Sequence, residues 1–123
     1  GVKVVGSVNK KELSTYFLNN DLLVLPSLND AFGMVILEAM AHGLPVIATT
    51  ATAAPDIINH KTNGYIIKPG CTQAIEEAVT WALENRHMLT YMGKNASATV
   101  YNNFCKAHYF GRLKQNLQSI NFM

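Results

Sequence analysis

The sequence contains little that would support a disulfide-stapled, metal-binding or polyanion-binding protein. Its only two cysteines, Cys71 and Cys105, belong to no CxxC pair or Cys/His cluster, so a disulfide framework, a zinc site and a redox pair lack support. The formal net charge is only +2 and no block of five like charges occurs, which argues against a phosphate-backbone footprint. We therefore expect reduced thiols, no metal site and no nucleic acid partner.

Long apolar runs and targeting signals are also missing from these residues. No run approaches the length of a membrane span, and the first residues lack the basic and apolar regions of a signal peptide. These absences predict a cytoplasmic protein. A chain of 123 residues that is 49% hydrophobic can bury a core, and we interpret residues 1–123 as one domain.

Strand-like and helix-like segments alternate along the chain. Predicted strands cover residues 2–5, 22–25, 45–48 and 65–67, and predicted helices follow each of them. Asn9 with Glu12 forms a capping box, Thr72 is a candidate N-cap, and Gly43 suits a left-handed C-cap. The buried stripe of the longest helix is predicted to contain Ile75, Ala78, Val79, Ala82 and Leu83.

The predicted strands are apolar on both faces and alternate with helices. Such strands indicate a parallel sheet with helices on both faces, because crossover helices cover each side. The expected fold class is therefore α/β, with a Rossmann-like parallel sheet.

The most informative stretch is residues 26–48. A strand ends, a short loop turns, and a helix begins near Gly33 with its first amides facing the crevice at the carboxyl edge of the sheet. Unpaired amides and the positive end of the helix dipole favour an anion there, and Gly33 leaves room for a ligand to approach. The pattern predicts a phosphate site.

Glu38 is unusual because residues 34–41 are otherwise apolar on every face. An unpaired carboxylate would cost several kcal/mol to bury, so Glu38 must meet hydrogen-bond donors. Ribose hydroxyls are candidates if phosphates bind one turn away, and protein amides or a lysine are equally good candidates. The residue pattern leaves both interpretations open.

This stretch resembles the donor-site motif of glycosyltransferase family 4, a family of retaining enzymes with the two Rossmann-like domains of the GT-B fold. The residues that match are Phe32, Gly33, Glu38, Ala39, Met40, Ala41, Gly43, Pro45 and Val46. Residues 6–8 resemble the family's loop near the nucleobase, and Asn63-Gly64 resembles its usual turn. The resemblance implies a partial C-terminal, nucleotide-sugar-binding GT-B domain.

The resemblance also implies roles for individual residues. Glu38 would bind the donor ribose, the amides of Met34 and Val35 would hold the diphosphate, and the amides of Phe32 and Gly33 would face the sugar. Val8 would lie near the nucleobase. The residues with these implied roles are Val8, Phe32, Gly33, Met34, Val35 and Glu38.

Two positions depart from the family pattern. Asp30 falls on the family's first Glu, a catalytic residue that contacts the transferred sugar, and is one methylene shorter. Residues 52–56 stand where the family usually has Gly-Gly-x-Pro-Glu, so Thr52 and Ala53 replace both glycines. We expect these side chains to stand where backbone normally approaches the sugar.

The implied reaction is retaining transfer of a sugar from a nucleoside diphosphate sugar to a hydroxyl of an acceptor glycan or lipid. No metal or other cofactor is expected, because a basic pair and the helix N-terminus neutralise the diphosphate in such enzymes. Two alternatives stay open, a sugar-nucleotide epimerase of GT-B shape and a non-catalytic nucleotide-binding subunit.

The chain begins at a segment that corresponds to the third strand of the family's domain. We therefore expect the basic pair and the acceptor domain to come from a missing N-terminal part or a partner chain. The isolated chain is expected to be inactive, and an open sheet edge favours self-association.

Outside this stretch, we predict structural rather than catalytic roles. His42 would complement the end of its helix, Trp81 would pack, and the remaining histidines, His60, His87 and His108, would lie at the surface. The last segment, with Lys106, Arg112 and Lys114 among aromatic residues, would either pack on its own domain or touch the inner membrane face.

Overall fold

The computed structural model describes residues 4–28 and 33–104. In chain order, its elements are α1 (Lys10–Asn19), β1 (Leu23–Leu25), α2 (Gly33–Ala41), β2 (Val46–Thr49), α3 (Ala54–Ile57), β3 (Tyr65–Ile67), α4 (Thr72–Glu84) and α5 (Arg86–Thr99), followed by a π-helical segment, Val100–Phe104. Alternating strands and helices are what the sequence pattern predicts.

Within the described residues, the three strands form one parallel sheet in the order β1-β2-β3. Val24 pairs with Ile47, and Ile47 pairs in turn with Tyr65, so the carboxyl ends of all three strands meet at one edge. The predicted α/β class and parallel sheet are confirmed.

Side chains alternate between the two faces of the sheet, and each face is covered by helices. Val46 and Ala48 belong to the larger core together with buried residues of α1, α2, α3 and α5. Ile47 points to the smaller core, where Ala78 of α4 is buried against it. Helices therefore lie on both faces, which explains why β2 is apolar at consecutive positions.

The ends of α1 and α2 follow the predicted capping signals. The Asn9 side chain accepts a hydrogen bond from the Glu12 amide at 2.8 Å, which confirms Asn9 as the N-cap of α1. Gly43 adopts a φ of +77°, its amide donates to the Met40 carbonyl, and the Leu44 amide donates to the Ala39 carbonyl at 3.0 Å. This Schellman arrangement confirms Gly43 as the C-cap of α2.

Helix α5 crosses the end of α2 at a glycine. A Cβ atom built on Gly93 would approach the Gly43 carbonyl oxygen more closely than atoms can, so no other residue fits without displacement of backbone. Met92 and Ala96, on either side of Gly93, are buried in the same contact region. The absence of a side chain at position 93 lets α5 lie directly on α2.

The predicted turn at Asn63-Gly64 is confirmed, and Asn63 has more than a turn role. Its side chain is buried, accepts the Asn59 amide at 2.7 Å and donates to the Thr99 hydroxyl at 2.9 Å. The turn before β3 is therefore hydrogen-bonded to the last residue of α5, which a local sequence pattern cannot indicate.

Three local predictions are wrong. Val4 and Val5 belong to no strand, and Val4 is 90% exposed, because the described edges of the sheet pair with neither residue and a strand needs a hydrogen-bonded neighbour. Thr72 is the first residue of α4 rather than its cap, since Cys71 occupies the N-cap position without a side-chain hydrogen bond. Leu83 is 64% exposed, so the buried stripe of α4 ends at Ala82.

Candidate functional site

The carboxyl edge of the sheet brings together the three loops that leave the strands. Residues 26–28 follow β1, residues 50–53 follow β2, and residues 68–71 follow β3. A Cβ atom on Gly70 would lie 3.3 Å from Leu28, so the first and third loops are in contact although β2 separates their strands. The loop after β1 therefore passes over the carboxyl end of β2 to reach the loop after β3.

Thr49, the last residue of β2, fixes this arrangement. Its side chain is 1% exposed; the hydroxyl donates to the Ser27 carbonyl at 2.7 Å and accepts the Ala51 amide at 3.1 Å. One buried hydroxyl thus ties the loop after β1 to the loop after β2. Because both hydrogen-bond partners of the Thr49 hydroxyl are backbone groups, these bonds fix the main chain of the two loops.

Helix α2 begins at this edge, beside the loop after β2. A Cβ atom on Gly33 would lie 3.4 Å from the Ala53 Cβ, which is an ordinary van der Waals contact. The fold itself therefore does not require glycine at position 33. The amides of Gly33, Met34 and Val35 belong to the first turn of α2, whose N–H groups have no carbonyl partner within the helix.

Glu38 lies one turn further along α2 and is half-buried. Met34 and Val35 are also half-buried, and the spacing of three or four residues puts them on the same helix face as Glu38. The other side of α2, with Ile36, Leu37, Ala39 and Met40, is fully buried in the larger core. Glu38 therefore lies at the border between core and surface, where a carboxylate can meet polar groups.

The other predicted site residues are distributed as follows. Val8 is half-buried and precedes Asn9, the N-cap of α1, but does not belong to a strand. Asp30 and Phe32 lie outside the described residues, so their predicted roles stay predictions. The structure thus describes Val8, Gly33, Met34, Val35 and Glu38 among the predicted site residues.

Thr52 and Ala53, which stand where the resemblance implies glycines, differ in orientation. The Thr52 hydroxyl donates to the Thr49 carbonyl at 2.7 Å and accepts the Ala54 amide at 3.0 Å, so this side chain folds back on its own loop. Ala53 packs against the larger core and faces Gly33. Of the two positions, the structure shows only the Ala53 methyl group next to the start of α2.

His42 has structural contacts that fit its predicted role. Its Nδ1 donates to the Glu38 carbonyl at 2.7 Å, and its Nε2 lies 2.9 Å from the Ser14 hydroxyl. The Phe17 ring packs against the imidazole at 5.5 Å between centroids. His42 therefore joins the last turn of α2 to α1, on the helix that also carries Glu38.

A separate cleft of about 340 Å³ lies at the opposite, amino edge of the sheet. Its lining residues come from the end of α1, the segment before β2 and the exposed side of α5: Asn20, Asp21, Gly43, Pro45, Arg86, Leu89, Thr90 and Lys94. Because Gly33 lies at the carboxyl edge, this cleft is not the predicted nucleotide site.

Residues 4–28 and 33–104 offer neither a metal-ligand cluster nor a membrane-spanning helix. That part of the chain contains no group of three or more His, Cys, Asp or Glu side chains that could hold a metal ion. Nor does it include a helix with the length and apolar character needed to cross a membrane. Cys71 is a free thiol and is half-buried.

The sequence interpretation missed Ser27, Thr49 and Thr52 as residues that shape this edge. A threonine directly after three buried apolar residues is a usable signal, since a hydroxyl at the end of a buried strand needs a backbone partner. The identity of that partner, the Ser27 carbonyl 22 residues away, depends on how the loops meet.

Known proteins resemble this chain over most of its length. A family model described as "Glycosyl transferases group 1" matches residues 1–99. N-acetyl-alpha-D-glucosaminyl L-malate synthase of Bacillus anthracis is 35% identical over 85 residues, which cover 69% of this chain and 22% of that protein.

Solved structures agree with the fold. The C-terminal domain of a glycosyl transferase group 1 family protein (LpcC) from Francisella tularensis superposes with a TM-score of 0.72 and 28% identity, covering 84% of this chain and 52% of that one. Anabaena Alr3699/HepE in complex with UDP-glucose gives a TM-score of 0.74 and 27% identity, covering 88% of this chain and 30% of that one. The chain thus spans about half of one similar domain and under a third of the longer relatives.

Proposed function

Because the chain belongs to the glycosyl transferases group 1 family, we propose that it forms part of the donor-binding half of a retaining family 4 glycosyltransferase. The ligand would be a nucleoside diphosphate sugar, and the sugar would pass to a hydroxyl of a glycan or lipid with retention at the anomeric carbon. The compartment we propose is the cytoplasm. The half-buried carboxylate of Glu38 on α2, one turn from amides at the carboxyl edge, carries this proposal.

The diphosphate would lie against the first turn of α2. The amides of Met34 and Val35 point toward the start of their helix, where the helix dipole favours negative charge. Gly33 has no side chain to obstruct that approach, and Ala53 opposite it contributes only a methyl group. These features can neutralise charge as it develops on the leaving diphosphate, which is the principal electrostatic requirement of glycosyl transfer from such donors.

The ribose would lie one turn deeper, against Glu38. A carboxylate can accept hydrogen bonds from two neighbouring hydroxyls, so it holds a ribose in a fixed orientation. Val8, in the segment before α1, would border the nucleobase, and Asp30 would contact the transferred sugar as the catalytic residue. Phe32 would line the sugar through its amide. No metal ion or further cofactor is included in this proposal.

The remaining catalytic parts would come from outside these residues. A basic pair that neutralises the diphosphate, and an acceptor-binding domain, would be supplied by a longer chain or a partner chain. The chain spans 22% of the Bacillus relative and 30% of Alr3699/HepE, which is why we assign it one part of the reaction only. We propose that residues 1–123 alone do not turn over a donor.

The proposal is tested by titrating the complete protein with UDP, GDP and ADP, and then titrating the Glu38→Ala variant. Loss of a carboxylate bonded to ribose should weaken nucleotide binding by about 1 to 3 kcal/mol. Glu76→Ala, at an exposed position on α4, is the matched control and should bind as the unmodified protein does.

Three outcomes would contradict the proposal. An unchanged dissociation constant in Glu38→Ala, with the variant folded by circular dichroism, would remove Glu38 from the site. Product analysis with and without acceptor separates transfer from epimerisation, since an epimerase converts the donor without any acceptor. If the complete protein neither transfers nor converts any nucleotide sugar, a non-catalytic binding subunit replaces the enzyme.

A further inference from the structure

Two threonine hydroxyls at the carboxyl end of β2 form a connected set of hydrogen bonds. The Thr49 hydroxyl donates to the Ser27 carbonyl at 2.7 Å and accepts the Ala51 amide at 3.1 Å. The Thr52 hydroxyl donates to the Thr49 carbonyl at 2.7 Å and accepts the Ala54 amide at 3.0 Å. Each hydroxyl therefore both donates and accepts, and every partner is a main-chain group. We call Thr49 and Thr52 the threonine pair.

The threonine pair is connected to the start of α2 from two sides. On one side it holds the Ser27 carbonyl, in the loop through which the chain leaves β1 toward α2. On the other side, the residue after Thr52 is Ala53, whose Cβ lies 3.4 Å from a Cβ atom built on Gly33. The loop that precedes α2 and the loop that faces its first residue are therefore both held by the same pair.

The hydroxyl of Thr49 serves these loops rather than the strand. β2 is buried along its whole length, and Thr49 itself is 1% exposed. Valine is also β-branched and would fill this position without a polar group to bury. Since a buried hydroxyl lowers stability unless it is hydrogen-bonded, the benefit of threonine at position 49 lies in the loop groups that it pairs.

The first turn of α2 depends on neighbouring loops more than the rest of the helix does. Ile36, Leu37 and Met40 are buried in the larger core, whereas Gly33 and Met34 are half-buried. The N–H groups of a first turn have no carbonyl partner within their helix, so the helix's own hydrogen bonds hold this turn least. Contacts from the two loops therefore help to fix where these amides lie.

We propose that Thr49 and Thr52 are positioning residues for the donor diphosphate, an inference that rests on the proposed function because it takes the diphosphate to bind at the first-turn amides of α2. The threonine pair would keep the two loops at the distance from those amides at which a diphosphate fits. Hydrogen bonds weaken steeply with distance and angle, so a small displacement of either loop would lower diphosphate affinity. Glu38 lies one turn deeper, beside core residues, so its contacts with ribose would be unaffected.

The test compares two ligands of the complete protein: the nucleoside diphosphate that binds, among UDP, GDP and ADP, and the corresponding nucleoside. The nucleoside keeps the ribose and the base but lacks the phosphates. Thr49→Val should weaken diphosphate binding about tenfold and leave nucleoside binding unchanged, because only the diphosphate contacts depend on the two loops. Thr52→Val, which leaves the bond to Ser27 intact, should weaken diphosphate binding about threefold. Calorimetry measures the diphosphate, and ligand-detected NMR measures the nucleoside.

Two further variants separate positioning from stability. Thr49→Ser keeps the hydroxyl and should restore diphosphate affinity to within about twofold of the unmodified protein. Thr99→Val is the matched control at the amino edge, where the hydroxyl donates to the Asn95 carbonyl at 2.8 Å and accepts the Asn63 side-chain amide at 2.9 Å. It removes a threonine hydroxyl with two hydrogen bonds of similar length but should bind both ligands normally. Circular dichroism checks that each variant is folded, and if Thr49→Val is not, Thr52→Val decides by the same comparison.

The positioning role is overturned if folded Thr49→Val binds the diphosphate as the unmodified protein does, or if Thr99→Val weakens binding equally. Equal weakening of diphosphate and nucleoside would also overturn it, since the loops would then act on the whole site. If Glu38→Ala weakens binding and Thr49→Val does not, the positioning role fails while the proposed function stands. If the complete protein binds no nucleoside diphosphate, the proposed function fails and the positioning role fails with it.

Discussion

The two edges of the sheet differ in how closely other atoms surround Gly93 and Gly64 on one side and Gly33 on the other. At the amino edge, Gly43 and Gly93 meet backbone to backbone, and a Cβ atom on Gly64 would lie 3.0 Å from Ile58 and from the Val46 carbonyl. At the carboxyl edge, Gly33 has only the Ala53 methyl group near it, at normal contact distance. The amino edge uses its glycines for packing, whereas the carboxyl edge has a glycine that packing does not require.

This difference would separate the residues that stabilise the fold from those of the proposed site. Where three strands begin, helix ends and turns are closed by backbone hydrogen bonds and by the buried Asn63 side chain. Where the strands end, the hydroxyls of Thr49 and Thr52 hold the loops, and α2 begins with half-buried residues. A ligand site at the carboxyl edge is typical of open parallel sheets.

The largest expected effect is a loss of stability at the amino edge, in the variant Gly93→Ala. The added methyl group collides with the Gly43 carbonyl, so α5 must move away from α2, and we expect the free energy of unfolding to fall by about 3 kcal/mol. Denaturant unfolding measures this loss, and Ala98→Ser, at an exposed position on the same helix, is the control. A variant as stable as the unmodified protein would mean that α5 does not rest on Gly43.

The intermediate effect is at the carboxyl edge, in Gly33→Ala. Stability should change by less than about 0.5 kcal/mol, because the methyl group has room and alanine favours a helix. Nucleotide affinity should fall about tenfold, because the methyl group stands beside the amides that would hold the diphosphate. Calorimetric titration with UDP measures the affinity. Unchanged affinity in a stable variant would contradict the proposed phosphate position.

The smallest expected effect is on how the free energy of unfolding depends on pH. It involves His60, which precedes β3 at the amino edge. Its Nδ1 accepts the Ile66 amide at 3.0 Å, and its ring packs on Tyr65 at 4.4 Å between centroids. Desolvation by burial lowers the pKa of His60 below 6.5, and the charge of Lys61 lowers it further. The neutral ring is therefore the form that the folded protein favours.

The sign of the pH effect follows from that lowered pKa. Above pH 6.5 the contribution of His60 to stability is fully present, and it decreases as pH falls from 6.5 toward the lower pKa of the folded state. His60→Gln can keep the acceptor but cannot titrate, so its unfolding free energy should depend less on pH over this range. His87→Gln is the control for loss of one histidine. Equal pH dependence in His60→Gln and the unmodified protein would contradict this assignment.

Local signals in the sequence predicted most elements of the fold. Gly43, Asn9 and the Asn63-Gly64 turn act through neighbours within a few residues, so their roles can be read from the chain itself. The strands coincide with apolar segments of the sequence, and helices cover both faces of the sheet that they form. These strands are residues 23–25, 46–49 and 65–67. The prediction at residues 2–5 was wrong for Val4 and Val5, because strand pairing depends on a neighbour that sequence periodicity does not reveal.

The candidate site was predicted less completely than the fold. The motif at residues 32–46 identified Gly33 and Glu38, and the structure describes Glu38 as half-buried on the helix that starts at the carboxyl edge. The pattern did not reveal that Thr49 joins two loops, or that the Thr52 side chain turns back while Ala53 faces Gly33. Those facts depend on contacts between segments that the pattern treats separately.

Residue order alone establishes the α/β class, the helix that starts at Gly33 and is capped at Gly43, and the single acidic residue within that helix, because these depend on spacing and on single-residue conformational preferences. Three-dimensional packing decides which strands pair, where α5 rests and which loops meet at the carboxyl edge. The physical reason is that hydrogen bonds and close contacts between distant segments depend on the relative positions of whole elements, which no local preference specifies.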